Sequence, residues 1–322
     1  MITVNRNSAN PILKPNPDNT WESKAVFNCN PVKTNGSYTL IYRALSQKMN
    51  HQGQEMELST IGKANSSDGI SFNNREQFIQ PEKQWELFGL EDPRVTKLRD
   101  KYYIFYTAVS AYPANPSVIK VGLAISKDLK TIEEKYLVTP FNAKSMTVFP
   151  EKINGKVSGL LAVNTDKPPA KIAFVQFNKI EDIWNHQIWN QWYENVDQHT
   201  LTLQRRPQDH VEIGACPIKT SQGWLLIFSY INNYQNTNKR IFTVEAALLD
   251  KKNPEKIIGR SKFPLLVPEK KYELEGMIPD IVFPSGALVN NNQLLIYYGA
   301  ADNHCCLASC SLSDILRELT DD

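Results

Sequence analysis

A polar turn followed by a run of aromatic and aliphatic residues recurs five times along the chain. The first strand residues of the five copies, Tyr38, Tyr102, Val157, Trp224 and Leu294, are separated by 64, 55, 67 and 70 positions. Short apolar runs that follow turn residues predict β-strands. Because five units of this length account for the chain, we expect each unit to form one blade of a propeller. The copies are NGSYTLIYRA from Asn35, RDKYYIFYTA from Arg99, NGKVSGLLAV from Asn154, SQGWLLIFSY from Ser221 and NNQLLIYYGA from Asn291.

Turn and helix signals agree with an all-β class. The turns SSDGISF at Ser66–Phe72 and SKDLKTI at Ser126–Ile132 share an S-x-D pattern, and Asp-Gly between two strand-like runs predicts a hairpin. Helical periodicity is confined to Leu312–Leu319 and to Lys179–Trp192, and the second segment could equally be a pair of strands. We therefore predict one five-bladed β-propeller domain over residues 1–322, since a β-sandwich would not explain five similar units.

Composition and charge exclude several classes of protein. The chain has 322 residues, of which 41% are hydrophobic and 22% are charged, as in a globular protein. Its 36 Lys and Arg residues nearly balance its 34 Asp and Glu residues, leaving a net charge of +2. No strong field is available to attract nucleic acid or an anionic membrane, so we expect neither as a partner.

The cysteines indicate a reducing compartment. There are five of them, an odd number with no C-x-x-C pair, which is a poor disulfide framework. The N-terminal residues contain no apolar run of signal-peptide length, so we expect a cytoplasmic protein. His304 lies beside Cys305 and Cys306, but adjacent residues of a strand face opposite sides and the spacing does not fit a zinc site. We expect no bound metal.

Polar residues near the ends of predicted strands are candidates for an axial site, because the innermost strands of a propeller converge on a funnel. These candidates are Arg43, Asp68, Glu91, Asp92 and Asp302. Asp68 could instead serve only as a turn former, and Arg43 could pair with a carboxylate in the core.

The segment GLEDPR places Glu91, Asp92 and Arg94 around a proline. The proline disfavours the helical region for Asp92. In a partly desolvated cleft we expect the pKa of such a carboxyl to be raised, as a general acid requires near neutral pH. The alternative is an ion pair between one of the two carboxylates and Arg94.

Several motifs in order resemble one family of carbohydrate-active enzymes. They are NPIL at Asn10, VFNCNPV at Val26, LIYRA at Leu40, SSDGISF, GLEDPRVT at Gly89, VFPEKINGK at Val148, EIGACPIKTSQGWLLI at Glu212, AALLD at Ala246, VFPSGALV at Val282 and LLIYYGAAD at Leu294. Together they cover most of the chain and resemble glycoside hydrolase family 130, the mannoside phosphorylases and β-mannosidases. The resemblance also implies a five-bladed propeller.

The resemblance implies roles for particular residues. Asp92 takes the position of the general acid, which delivers its proton to the glycosidic oxygen through a hydroxyl of the bound mannose. The mannose subsite would be lined by Arg43, Asp68 and Asp302, and Asn28 would lie near the attacking nucleophile. Glu91, within GLEDPR, and His304, just after LLIYYGAAD, are further candidates for substrate binding.

The chain departs from the phosphorolytic members where they hold phosphate with cations. Glu212 stands at an expected lysine, Ser229 at an expected histidine and Thr165 at an expected arginine. A usual glycine is Glu245, and Lys144 alone is available to replace another arginine. Two carboxylates in an anion site would repel phosphate.

We therefore expect an inverting, exo-acting β-mannosidase, with β-1,2-linked mannosides as substrates because the characterised hydrolytic relatives prefer them. Glu212 and Glu245 are the candidates for the general base, although each could be a surface or salt-bridged glutamate. A mannoside phosphorylase with a phosphate site rebuilt around Lys144, or a sugar-binding propeller without catalysis, are the alternatives. The expected partner is a small mannoside, without any cofactor, and the sequence leaves the oligomeric state open, a homo-oligomer included.

Overall fold

The computed structural model describes residues 2–321, and their strands form five antiparallel sheets arranged as the blades of a propeller. The strands are β1 Asn5–Arg6; in blade I, β2 Ala25–Thr34, β3 Ser37–His51, β4 Gln54–Ser66 and β5 Asn73–Ile79; in blade II, β6 Leu90–Leu98, β7 Lys101–Val109, β8 Ile119–Ser126 and β9 Glu134–Leu137; in blade III, β10 Ala143–Val148, β11 Val157–Val163 and β12 Lys171–Phe177; in blade IV, β13 His210–Ile213, β14 Ile218–Lys219, β15 Trp224–Asn232, β16 Ile241–Leu249 and β17 Ile257–Arg260; and in blade V, β18 Val282–Asn290, β19 Gln293–Ala300 and β20 His304–Ser311. The predicted five-bladed β-propeller is confirmed.

Each repeated sequence motif forms the second strand of its blade. These strands are β3, β7, β11, β15 and β19. The turn that precedes four of them has a residue in the left-handed region, with φ between 50° and 58° at Asn35, Arg99, Asn154 and Asn291. Asparagine tolerates this conformation better than most residues, which explains the polar turn in the repeat.

The ring closes through both ends of the chain. Strand β1 pairs with β20, with Asn5 opposite Ser309 and Arg6 opposite Ala308, so the first strand completes the last blade. Helix α3, Leu312–Thr320, follows β20 and packs three apolar residues into the protein.

The segment Lys179–Trp192, for which the sequence allowed either a helix or a pair of strands, is helical. Helix α1 spans His186–Tyr193 after a 3₁₀ segment at Ile180–Trp184, and a short helix α2 spans Lys271–Leu274. Further 3₁₀ segments lie at Thr20–Glu22, Gln84–Glu86 and Val196–His199. Within residues 2–321 no helix is long and apolar enough to cross a membrane.

A buried carboxylate anchors the second strand in four of the blades. The hydroxyl groups of Tyr42, Tyr106, Tyr230 and Tyr298 donate to Glu22, Glu86, Asp209 and Glu273, at 2.5 to 2.8 Å. Each carboxylate also forms an ion pair, with Arg75, Lys135, Arg206 and Arg6 respectively. Four of the five blades therefore share a buried tyrosine–carboxylate pair as well as an apolar strand, and each buried carboxylate is hydrogen-bonded.

The inner strands carry β-bulges at the level where they face the axis. The register shifts between Phe27 and Asn30 in β2, and between Glu91 and Arg94 in β6. Strand β10 shifts between Lys144 and Thr147, and β18 between Pro284 and Gly286. Asn28, Asp92 and Ser145 within these bulges have φ of 50°, 54° and 53°. Bulges change the direction of a side chain, and here they orient the residues next to the axis.

Removing one anchoring hydroxyl should lower stability. Tyr106→Phe leaves Glu86 buried with one hydrogen bond fewer, and we expect the free energy of unfolding to fall by about 1–3 kcal/mol in urea titration. Tyr136→Phe is the matched control, because Tyr136 donates to the exposed Glu134 at the surface. An equal loss in both variants would contradict the role of the buried pair.

Candidate active site

All five blades contribute to one polar cavity near the axis. Its volume of about 200 Å³ is below the roughly 300–1,000 Å³ of pockets for drug-sized ligands, so it suits one small polar ring. The charged and polar lining residues are Asn28, Arg43, Glu91, Asp92, Lys144, Glu212, Tyr234, Arg240 and Asp302, and the apolar ones are Phe242, Ile278, Ile281 and Phe283.

Asp92 is held in place by partners from blade I. Its Oδ1 accepts a hydrogen bond from Asn28 Nδ2 at 2.7 Å and lies 3.4 Å from Arg43 Nη1. The Arg43 guanidinium also donates to Glu91 at 2.7 Å and to the Ser59 hydroxyl at 2.8 Å. Four of the predicted site residues thus form one network.

The pKa of Asp92 is lowered, not raised as the sequence predicted. Burial alone would raise it, but the Arg43 charge and the Asn28 hydrogen bond outweigh burial and favour the carboxylate. The sequence prediction was wrong because it included desolvation only, whereas Arg43 and Asn28 lie far from Asp92 in the sequence.

Arg94 contacts carbonyl groups instead of the neighbouring carboxylates. Its fully buried guanidinium donates to the carbonyl oxygens of Asp92, Ile213 and Gly214 at 2.7 to 2.9 Å. The alternative of an ion pair within GLEDPR is therefore wrong. Arg94 instead fixes the strand of Asp92 to the end of the strand of Glu212, across two non-adjacent blades.

Two other carboxyl groups have pKa values near neutrality. Burial raises the pKa of Glu212 to about 7, with Lys144 opposing this and Asp92 adding to it. Burial likewise raises the pKa of Asp302 to about 7, opposed by Arg43 and reinforced by Asp92. The cavity can therefore hold protons near pH 7 on Glu212 and Asp302, while Asp92 is ionised.

Two cations line the cavity: the charge of Lys144 acts on Glu212, and that of Arg240 acts on Asp302. Lys144 Nζ forms an ion pair with Asp166 at 2.9 Å. Burial lowers the pKa of Lys144, but the charges of Asp166 and of the cavity carboxylates raise it by more, so the pKa is raised overall. Arg240 has its guanidinium carbon 5.8 Å from the ring centre of Tyr234 and 5.5 Å from that of Phe242. Both side chains supply positive charge to the cavity lining.

Glu245 does not belong to this cavity, so its prediction as a general base is wrong. Its side chain is fully buried in β16 between Arg205 and Arg260, with oxygen–nitrogen distances of 2.5 and 2.6 Å. Strand β16 is the third strand from the axis along its blade. The glutamate is thus a salt-bridged residue, the alternative that the sequence had left open.

Asp68 and His304 also lie outside the cavity lining. Asp68 is exposed, and its Oδ1 accepts from Ser66 Oγ and from the backbone of Ile70 and Ser71, which closes the turn. Asp128 makes the equivalent bonds in the second S-x-D turn, so the motif is structural. His304 begins the third strand of blade V and contacts the Asn303 amide.

Tyr234, Arg240 and His210 were missed from the sequence. Tyr234 and Arg240 belong to a connection without any assignable motif, and only the fold brings it over the cavity. His210 could have been found, because it precedes Glu212 by two residues on β13 and side chains two apart share a face of a strand.

The axial cavity of the propeller combines a positioned carboxylate, two proton-holding carboxyls and two cations, which are groups suited to acid–base catalysis. The sequence profile described as β-1,4-mannooligosaccharide phosphorylase matches residues 4–321. The chain therefore belongs to glycoside hydrolase family 130.

Individual relatives match along nearly their whole length. A 1,2-β-oligomannan phosphorylase of Thermoanaerobacter sp. strain X514 is 35% identical over 320 residues, covering 98% of this chain and 99% of the relative. A β-1,2-mannobiose phosphorylase of the same strain is 33% identical, covering 94% and 96%. The structure of β-1,2-mannobiose phosphorylase from Listeria innocua with β-1,2-mannobiose superposes with a TM-score of 0.82 at 25% identity, covering 99% of each chain.

The position of Glu245 predicts a loss of stability without a loss of catalysis. In Glu245→Gln we expect the free energy of unfolding to fall by up to about 3 kcal/mol, because two arginines lose their counter-charge. Partial exposure of Arg205 limits the effect, its side chain being 40% exposed. Glu151→Gln, which breaks the exposed pair with Lys219, is the control. A folded Glu245→Gln protein with turnover reduced a hundredfold would return Glu245 to the site.

Proposed function

We propose that this chain is an exo-acting enzyme that cleaves β-1,2-linked mannosides with inversion, transfers the mannosyl group to phosphate, and uses its whole propeller as one catalytic domain. The observation that carries the proposal is the identity of 35% and 33%, over nearly the full length, to two phosphorylases of β-1,2-linked mannosides. The small cavity supports binding of a single terminal sugar.

Asp92 is the general acid in this proposal. Asn28 and Arg43 hold its carboxyl at the axis, and Glu91 shares Arg43. A sugar that fills the cavity removes water from around Asp92, which shifts its pKa upward toward the value that proton donation needs. Asp302, which also lines the cavity, contributes to the same sugar subsite.

The acceptor side can accommodate phosphate better than the sequence suggested. Repulsion of phosphate would need two carboxylates at the acceptor side, but Glu245 lies elsewhere and is neutralised by arginines. Glu212, with a pKa of about 7, is largely neutral below that pH and can then donate a hydrogen bond to an anion. Lys144 and Arg240 add charge of the sign that phosphate requires.

Hydrolysis is the second candidate, and Glu212 is the observation that favours it. A carboxylate whose pKa lies close to the working pH suits a general base that activates water. The residues at the expected histidine and arginine are Ser229 and Thr165, both uncharged and buried. No feature of the cavity favours a sugar-binding role without catalysis.

The acceptor can be decided with one substrate. With β-1,2-mannobiose we expect turnover only when phosphate is present, with α-mannose 1-phosphate and mannose as products by NMR. Mannose formed without phosphate, with oxygen from labelled water at its anomeric carbon, would establish the hydrolytic alternative. If neither product forms, with or without phosphate, catalysis on this substrate is contradicted.

Replacing the proposed acid tests the sugar side independently of the acceptor. We expect Asp92→Asn to lower kcat by about 10² to 10⁴, because it retains the shape and loses the proton that general acid catalysis transfers. Asp68→Asn is the control, since an asparagine oxygen can close the same turn, and it should keep the parental rate. Wild-type turnover in Asp92→Asn would remove Asp92 from the mechanism.

A further inference from the structure

His210 is a buried histidine directly beside the cavity. Its side chain is 1% exposed. The ring stacks on Tyr234, a lining residue, with ring centres 3.9 Å apart and an angle of 10° between the planes. Burial and this stacking leave the ring little freedom to move.

The backbone fixes which nitrogen of His210 carries the proton. The Ala170 amide donates to His210 Nδ1 at 3.2 Å, and an amide can only donate. Burial, together with the charge of Lys144, lowers the pKa of His210 to about 4, with Asp166 opposing the shift, so the ring is neutral at pH 7. The single proton must therefore be on Nε2.

That Nε2–H group has no hydrogen-bond partner among residues 2–321. It lies 3.7 Å from Glu212 Oε1, slightly beyond hydrogen-bond range. The two side chains share a face of β13 because they are two residues apart. Hydrogen bonds in a catalytic site are often long without ligand and shorten when the ligand binds.

We propose that His210 is a positioning residue that donates its Nε2–H to Glu212 Oε1 when the acceptor binds, leaving the other carboxyl oxygen to face the acceptor. This inference rests on the proposed role of Glu212 at the acceptor side of the cavity. It holds for either acceptor, since phosphate needs an oriented O–H group and water needs an oriented carboxylate.

Because His210 is neutral at pH 7, replacing it removes none of the charges around Glu212. They come from β6, β10 and the connections on either side of the cavity, and comprise Lys144, Arg94, Asp92, Asp166 and the Tyr234 hydroxyl. Ser229 lies opposite Glu212 on β15, and its buried hydroxyl has no hydrogen-bond partner within the described range 2–321. A change in the titration of Glu212 in a His210 variant therefore reports the lost donor.

The test is the pH profile of kcat in His210→Asn, because kcat reports the pKa values of the enzyme with its substrates bound. An asparagine oxygen can still accept from the Ala170 amide, but no donor replaces Nε2–H. A donor to the ionised form lowers a carboxyl pKa, so its loss should move the limb that reports Glu212 to higher pH by about one pH unit. We also expect kcat to fall by about tenfold on the active side of the limb.

The direction of the limb identifies the chemistry as well. If phosphate is the acceptor, Glu212 acts protonated and activity falls as pH rises through its pKa, so the falling limb moves upward. If water is the acceptor, Glu212 acts ionised and the rising limb moves upward. Either movement supports the proposal.

His210→Gln is the second variant and keeps the proposal testable if His210→Asn folds poorly. Its longer side chain places an amide N–H near the position of Nε2, so the limb should return toward the wild-type position. His186→Asn, at an exposed histidine that contacts the Leu137 carbonyl far from the cavity, should leave the profile unchanged.

Three outcomes separate the two claims. A folded His210→Asn protein with the wild-type limb, while Glu212→Gln abolishes that limb, would overturn the role of His210 alone. A His210→Gln limb that is displaced as far as that of His210→Asn would also overturn it. Wild-type rate and profile in Glu212→Gln would overturn the acceptor role of Glu212, and the inference with it.

Discussion

The geometry of the site depends on the hydrogen bonds of the buried Arg94 guanidinium. It binds the carbonyl groups of Asp92, Ile213 and Gly214, and so connects the bulge of blade II to the end of β13 in blade IV. Asp92 and Glu212 belong to those two segments. Their separation is therefore set by a rigid planar group with five donors, a task that lysine cannot perform.

The bulges of the inner strands are the second requirement. A left-handed residue outside glycine costs about 1–2 kcal/mol, although Asn and Asp can offset part of this locally. Asn28 and Asp92 both adopt this conformation, and their side chains are hydrogen-bonded to each other. The backbone strain therefore lies where two strands direct side chains toward the axis. Backbone strain concentrated at a cavity is typical of a functional site.

The cavity also divides its carboxyl groups by environment. Arg43 pairs with Glu91 and Asp92. Among residues 2–321, Glu212 and Asp302 form no ion pair with an arginine or lysine, and their pKa values rise to about 7. An enzyme that transfers a proton near neutral pH needs such a division between groups that hold a proton and groups that stay charged.

The sequence predicted the fold because the repeat records it directly, strand by strand. It predicted those site residues that lie in motifs on the first or second strand of a blade, such as Asn28, Arg43 and Asp92. It could not distinguish Glu212 from Glu245, since both stand in family motifs, and only the arrangement of strands places Arg205 and Arg260 around the second. The lowered pKa of Asp92 and the carbonyl contacts of Arg94 likewise depend on residues from other blades.

The central claim is that the Asp92 and Glu212 sides of one cavity bind sugar and acceptor respectively. A crystal structure with mannose and phosphate tests it most directly. We expect the sugar ring against Asp92 and Asp302, and phosphate within hydrogen-bond distance of Glu212 and of Lys144 or Arg240. Phosphate bound elsewhere, or a sugar that does not contact Asp92, would contradict the account.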